Sequence, residues 1–158
     1  MDIEALLTPV SVIVAVIALI TSSLSTARAR VKAIEDAYIA RYWQILDRFP
    51  AEALVGEERT APPSPEECKT IRLYLRLSED ELELRRLGWV GRETWDQWGP
   101  GIKAQLRQWP VAGEWGPIRD GGRAPHQFTL LRQLDTGAGF DPYTATGLAR
   151  VTRWWRQL

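Results

Sequence analysis

From Ala5 to Ala27 the chain carries 23 consecutive uncharged positions, with Val12-Ile13-Val14-Ala15-Val16-Ile17-Ala18-Leu19-Ile20 as an unbroken apolar run in the middle. At about 1.5 Å per helical residue the segment reaches roughly 34 Å, enough to cross a hydrocarbon core of about 30 Å. The pattern predicts a transmembrane anchor over residues 5–27. A removable signal peptide competes for the same residues, but it requires a basic leading region. Here Met1-Asp2-Ile3-Glu4 is acidic, and the positive charges Arg28, Arg30 and Lys32 follow the run. A buried helix of a soluble core fits poorly, because such segments run to only about 10–14 apolar residues. Pro9 lies near the helix start, where a missing N–H costs little. The basic flank stays cytoplasmic by the positive-inside rule, so the N-terminus is expected outside and the rest of the chain in the cytoplasm.

Behind the anchor the pattern turns amphipathic. Between Ser25 and Phe49 there is neither Gly nor Pro, and Val31, Ile34, Tyr38, Tyr42, Ile45 and Phe49 recur at steps of three and four. These steps define one helical face; Ile39, Trp43 and Leu46 widen it. A juxtamembrane helix over 28–49 is expected, continuous with the anchor as one rod on the order of 60 Å long, stopping at Pro50. Residues 51–64 are rich in turn-forming and charged residues and read as a loop. Ser64-Pro65-Glu66-Glu67 then supplies a capping hydroxyl, a first-turn proline and first-turn carboxylates. The helix they open is expected to run to about Leu87, to end at Gly88, and to be the central helix of the domain. Ile71, Leu75 and Leu82 lie on one side and Leu73, Leu77, Leu84 and Leu87 on another.

Further on, Gly99-Pro100-Gly101 predicts a kink or break in the helical run toward Trp109-Pro110. Val111 to Pro125, with four glycines and two prolines, is expected to wind over the surface with short helical turns. His126 to Leu134 reads as a short amphipathic helix, and a last helix is expected after Asp141-Pro142. Leu148, Val151, Trp155 and Leu158 form its apolar stripe; Arg150, Arg153 and Arg156 make it basic.

Composition narrows the function classes. The roughly 130 residues outside the anchor suffice for one small domain, residues 64–158. Twenty basic and twenty acidic residues cancel, leaving no field to draw in nucleic acid. A single cysteine, Cys68, excludes an internal disulfide and disfavours a cysteine-rich zinc site. Eight tryptophans are a large aromatic payload from which a small domain can build a core.

Candidate chemistry is sparse, and neither a cofactor nor a metal is implied. Glu79, Asp80, Glu81 and Glu83 include an i, i+4 carboxylate pair, but without the histidines of a di-metal site they read as a solvated face or as ion pairs with Arg72 or Arg76, and Arg85 reads as an ordinary surface partner of Glu81. His126 reads as a surface or capping residue. Asp135-Thr136-Gly137-Ala138 spells an aspartic-protease motif, but that chemistry needs two carboxylates on loops of a β-rich body. The flanking segments have helical spacing instead, and a helix end at Gly137 accounts for the letters.

The stretch Tyr74 to Ile102 joins Tyr74-x-Arg76-Leu77-x-Glu79-Asp80-Glu81, Gly88, Thr94-Trp95-x-x-Trp98 and Gly101-Ile102. It resembles the cytosolic region of small bacterial single-pass membrane proteins with an N-terminal anchor, a juxtamembrane helix and a Trp-containing helical cytosolic domain. The resemblance implies that architecture and a location in the inner (cytoplasmic) membrane, and it carries no catalytic residue over.

The expectation is an all-α, single-pass membrane protein acting as a non-enzymatic interaction or scaffold protein, an accessory subunit of a membrane complex or a homo-oligomer. Its partners would be membrane lipid and another membrane protein or a second copy. Ser11, Ala15, Ala18 and Ser22 form a small-residue face on which another helix can approach. The alternatives are a tethered effector or hydrolase using Asp135 or the acidic helix, and a peripheral lipid-binding module using the C-terminal basic helix. A pocket holding a carboxylate of raised pKa favours the effector; a filled Trp core with exposed carboxylates favours the scaffold.

Overall fold

The computed structural model describes residues 3–124 and 126–143, with side chains from Val12 onward. The expected C-terminal helix with Arg150, Arg153 and Arg156 lies outside them. The described residues are all-helical, without a strand. The first helix, α1, is a single element over Ile3–Leu46, as the absence of any breaker between Ala27 and Phe49 predicts. Turn bonds from the Asp47 N–H to the Trp43 carbonyl and from the Phe49 N–H to the Leu46 carbonyl finish it before Pro50. The chain divides into two units, one holding Met1–Ala33 and a compact one over Ile34–Thr144. The boundary falls inside α1, so the compact unit takes in the last turns of that helix as well as the segment from residue 64 onward.

The segment read as a loop contains one short helix, α2 (Ala51–Leu54). Helix α3, Pro65–Leu87, begins where the capping signature places it. Ser64 Oγ accepts from the Glu67 N–H at 3.3 Å, and Glu67 Oε2 accepts from the Ser64 N–H at 2.6 Å. Two orphan donors are thereby satisfied at once. The helix ends at Gly88, whose φ of 79° is left-handed.

Helix α4, Arg92–Gln105, runs through Gly99-Pro100-Gly101 without the expected break. The proline removes one donor on the exposed side of the helix, a cost the packed side can carry. Gly99 is there for space, since a Cβ would meet the Trp95 ring at 3.0 Å. Helix α5, Val111–Arg119, corrects a second expectation. This segment does not wind over the surface: Val111, Trp115 and Ile118 are all buried. Burying three such side chains contributes roughly 5 kcal/mol or more, against about 1 kcal/mol for each interior glycine. The last described helix, α6, is Thr129–Thr136, later than the expected start at His126, which is exposed.

The core gathers Ile45 of α1 and Phe49 just beyond it, Ile71, Leu75, Leu77 and Leu82 of α3, and Ile102, Val111, Trp115, Leu131 and Leu134 of the later helices. It is chiefly aliphatic. Among the described tryptophans Trp95 and Trp115 are buried, while Trp43 is 56% exposed and Trp89, Trp98 and Trp109 are half-buried.

Charged side chains of α1 and α3 tie the later segments down. Neither Gly91 nor Phe128, the N-caps of α4 and α6, offers a capping side chain. Glu35 of α1 accepts from the Gly91 N–H at 2.8 Å. Glu79 of α3 accepts from the N–H groups of Leu130 at 3.1 Å and Leu131 at 2.9 Å, placing negative charge at the α6 N-terminus. Arg85, 4% exposed, donates to both Asp141 oxygens at 3.0 and 2.7 Å and to the Val90 carbonyl at 2.9 Å. The acidic stretch is therefore not a solvated face: only Asp80, paired with Arg76 at 3.7 Å, and Glu83, paired with Arg86, behave as expected. Arg85 likewise turns away from Glu81 and into the unit.

Two stability predictions follow from these ties, both read by thermal denaturation of the full chain in detergent micelles through tryptophan fluorescence. Glu79→Ala leaves the two α6 donors unanswered and is expected to lower stability by roughly 1–3 kcal/mol, with a smaller loss for Glu79→Gln, which keeps one acceptor oxygen. Unchanged unfolding in Glu79→Ala would show the cap to be incidental. Arg85→Met strands the buried Val90 carbonyl and frees Asp141; because Asp141 is 37% exposed, the expected loss is about 2 kcal/mol, below that for a fully buried pair.

Candidate functional site

Within the compact unit, α1, α3 and α4 enclose a cleft of about 400 Å³. Its walls are Ile39 and Tyr42 of α1, Tyr74 and Glu81 of α3, and Gln97, Trp98, Gly101, Ile102, Ala104 and Gln105 of α4. Helical spacing puts them there. Tyr74, Ser78, Glu81 and Arg85 follow one another at steps of four, three and four along α3, and all are buried. On α4, Trp98, Gly101, Ile102 and Gln105 share a face in the same way. The Tyr42 and Tyr74 rings stand 6.3 Å apart, and Phe49 packs edge-on with Tyr74 at 5.9 Å.

Glu81 gives the cleft its chemistry. It is 5% exposed, and burial first, then the neighbouring charge of Asp80, raises its pKa from 4.5 to about 8. At neutral pH it is chiefly a neutral carboxyl. Burial also raises the Tyr74 hydroxyl; Tyr42 is raised by burial and then by Glu81. Tyr38, beside the cleft on α1, is raised by burial, then by Asp80, with Arg41 acting in the opposite sense. The local field is thus negative, in an apolar surround that magnifies it.

Asp135 lies elsewhere, on α6. One carboxylate oxygen accepts from Trp115 Nε1 at 2.9 Å; the other faces Arg107 at 3.7 Å. Its carboxylate anchors the buried indole and borders a hollow of about 560 Å³ with Leu106, Arg107 and Arg119. The following Gly137 ends the helix as expected, and it must be glycine because a Cβ would approach the Gln133 carbonyl to 2.7 Å.

The small-residue positions Ala15, Ala18 and Ser22 are exposed on α1, as are Arg28, Arg30 and Lys32; the Ser11 side chain lies outside those described. Around them Val12 to Ile20 expose 39–69% of each large apolar side chain. Hydroxyls there are satisfied within the helix: Thr21 donates to Ile17 and Ala18, Ser23 to Leu19, and Ser25 and Thr26 both to Ser22.

Compared with protein-family models, curated proteins and solved structures, the chain matches none. Of the architecture expected from the resemblance over residues 74–102, the structure shows a long apolar N-terminal helix before further helices.

Sequence reasoning singled out Glu81 as part of an acidic run and placed it on the surface. The signal that relocates it is its register with Tyr74, Ser78 and Leu82. A carboxyl protonated in the fold and ionised in the unfolded chain makes the fold bind more protons between pH 4.5 and about 8. Its contribution to stability is therefore most favourable below pH 4.5 and declines as pH rises through that window. Glu81→Gln is expected to flatten this decline and to raise stability at pH 8 by on the order of 3 kcal/mol. Denaturation of both chains at pH 5, 6.5 and 8 measures it; parallel curves would place an ionised, well-paired Glu81 in the fold.

Proposed function

We propose that this chain is a membrane-anchored interaction protein, held by α1 and presenting the compact helical unit to a partner. The observation carrying this reading is the state of α1: its most apolar window has a mean hydropathy of 1.8, none of it buried. Side chains of that kind left in water forfeit roughly 1.5–3 kcal/mol each, which a bilayer supplies. The hydroxyls bonded back to the helix's own carbonyls support it, because lipid offers no partner to a polar group. Asp2 and Glu4 before the segment against Arg28, Arg30 and Lys32 behind it favour the N-terminus outside and the compact unit in the cytoplasm of a bacterial inner membrane. Ser11, Ala15, Ala18 and Ser22 are the face on which a second copy or another membrane protein would pack.

The carboxylate of raised pKa in a cleft is what a tethered effector would show. Against hydrolysis stands the cleft's lining: it supplies Glu81 but neither a second carboxylate nor a histidine, and Asp135 is engaged with Trp115. The cleft supports ligand binding better than bond cleavage.

The test is made in intact membranes. With Cys68 replaced by serine, a cysteine at position 2 is expected to react with an impermeant maleimide from outside and one at position 60 only after permeabilisation; the reverse pattern overturns the orientation, and a mature chain beginning near Arg28 overturns the anchor. Ala15→Leu with Ala18→Leu is expected to leave insertion intact and to reduce self-crosslinking or partner recovery about tenfold. Unchanged association would assign recognition to the compact unit alone.

A further inference from the structure

We propose that the cleft between α1, α3 and α4 is a binding site for a small organic ammonium ion with apolar substituents, held by Glu81 and by the rings of Tyr42, Tyr74 and Trp98. This goes beyond the anchoring role and does not depend on it. Glu81 is buried to all but 5% and lines the cleft, and among the described residues neither a hydrogen bond nor an ion pair reaches it. Burying such a group without a partner is costly. The cations nearby are committed: Arg85, one turn further along α3, to Asp141 and Val90, and Arg76 to Asp80. Arg41 of α1 bears on Tyr38 through its charge but is exposed and stands outside the cleft lining, and the α4 lining, Gln97, Trp98 and Gln105 among it, is uncharged. A partner for the carboxyl, a counter-cation once it is ionised, is what the site lacks.

The walls select its kind. Aromatic rings attract cations through the negative face of their π-systems, and an alkylated ammonium, poorly hydrated, gains most from such a surround. Asp80, and Glu81 once ionised, add negative potential and oppose anions. A neutral apolar guest would leave the carboxyl unanswered, and the described residues contain no group of three metal-ligating side chains. The volume of about 400 Å³ falls within the range of about 300–1,000 Å³ of small-molecule sites. On binding, Glu81 gives its proton to solvent and remains as the carboxylate facing the cation, so association releases up to one proton. With the free carboxyl titrating near pH 8, apparent affinity rises with pH, by up to about tenfold per unit below that value.

The probe is choline, titrated into the full chain in phosphatidylglycerol nanodiscs and followed by tryptophan fluorescence and calorimetry. Its carbon isostere 3,3-dimethylbutan-1-ol is the uncharged control. The expected result is choline binding with a dissociation constant below about 1 mM at pH 8, weakening toward pH 6.5, with the isostere at least about tenfold weaker. Glu81→Gln, a variant expected to fold more stably, should lose about tenfold and become independent of pH, while Trp98→Leu weakens binding and keeps the pH slope. Weaker choline binding in phosphatidylcholine nanodiscs would identify a lipid headgroup as the source of the ammonium; equal binding would identify a free ligand. Failure of choline to bind, or equal binding of choline and isostere with Glu81→Gln unaffected, would overturn the proposal and leave the cleft an apolar hollow.

Discussion

Helix α3 is packed on several sides, and while Lys69, Arg72, Arg76 and Arg86 stay on its exposed face, the charges on its packed sides have to be answered within the fold, which turns Glu79 and Arg85 into ties. Glu79 answers backbone donors at the start of α6. Arg85 reaches Asp141 and the Val90 carbonyl, lies 4.8 Å from the Tyr143 ring, and so fixes both the turn after α3 and the end of the described chain. Glu35 does the same from α1, across a sequence separation of 56 residues to Gly91. These contacts specify which helix end meets which side chain, something an aliphatic core of Leu, Ile and Val leaves largely open. Apolar burial drives the unit together; the carboxylates and the guanidinium choose the arrangement.

That division explains what could be read from the sequence. Helix starts and stops encoded by local chemistry were legible: the Ser64–Glu67 capping box, the Gly88 cap, and the stripe of Tyr38, Tyr42, Ile45 and Phe49. Structure set by distant partners was not. Nothing near Phe128 announces an N-terminus, since Glu79 supplies the cap from elsewhere, and α5 looked like surface because its glycines and proline were weighed without the core that receives Val111, Trp115 and Ile118. The cleft was half legible. Tyr74, Glu81 and Trp98 all lay in the stretch that drew notice, yet a run of four acidic residues reads as solvated until its register with Tyr74 and Leu82 is followed.

Along α1 two physical regimes succeed one another without a break in the backbone. In the window around Val12 to Ile20 the apolar side chains point in all directions and are exposed, as in a helix meant for an apolar solvent all round. From Ile34 onward the pattern narrows to a stripe, and Ile45 and Phe49 enter a protein core. The change occurs where Arg28, Arg30 and Lys32 appear, as expected if the surroundings of the helix change from lipid to water and protein there.

The remaining question is why α3 carries a carboxyl at position 81. Of the charged side chains buried among the described residues, Glu35 and Arg85 each hold a backbone group or an opposite charge; Glu81 holds neither. A leucine there would extend the apolar seam of Leu75 and Leu82, and stability alone favours it. Local rules are most often broken where a site is built, since the stability lost there is recovered in function. The aromatic walls around Glu81 and the negative field they share with Asp80 give that exception a chemical sense, because together they leave unfilled the one kind of group, an apolar cation, that answers both.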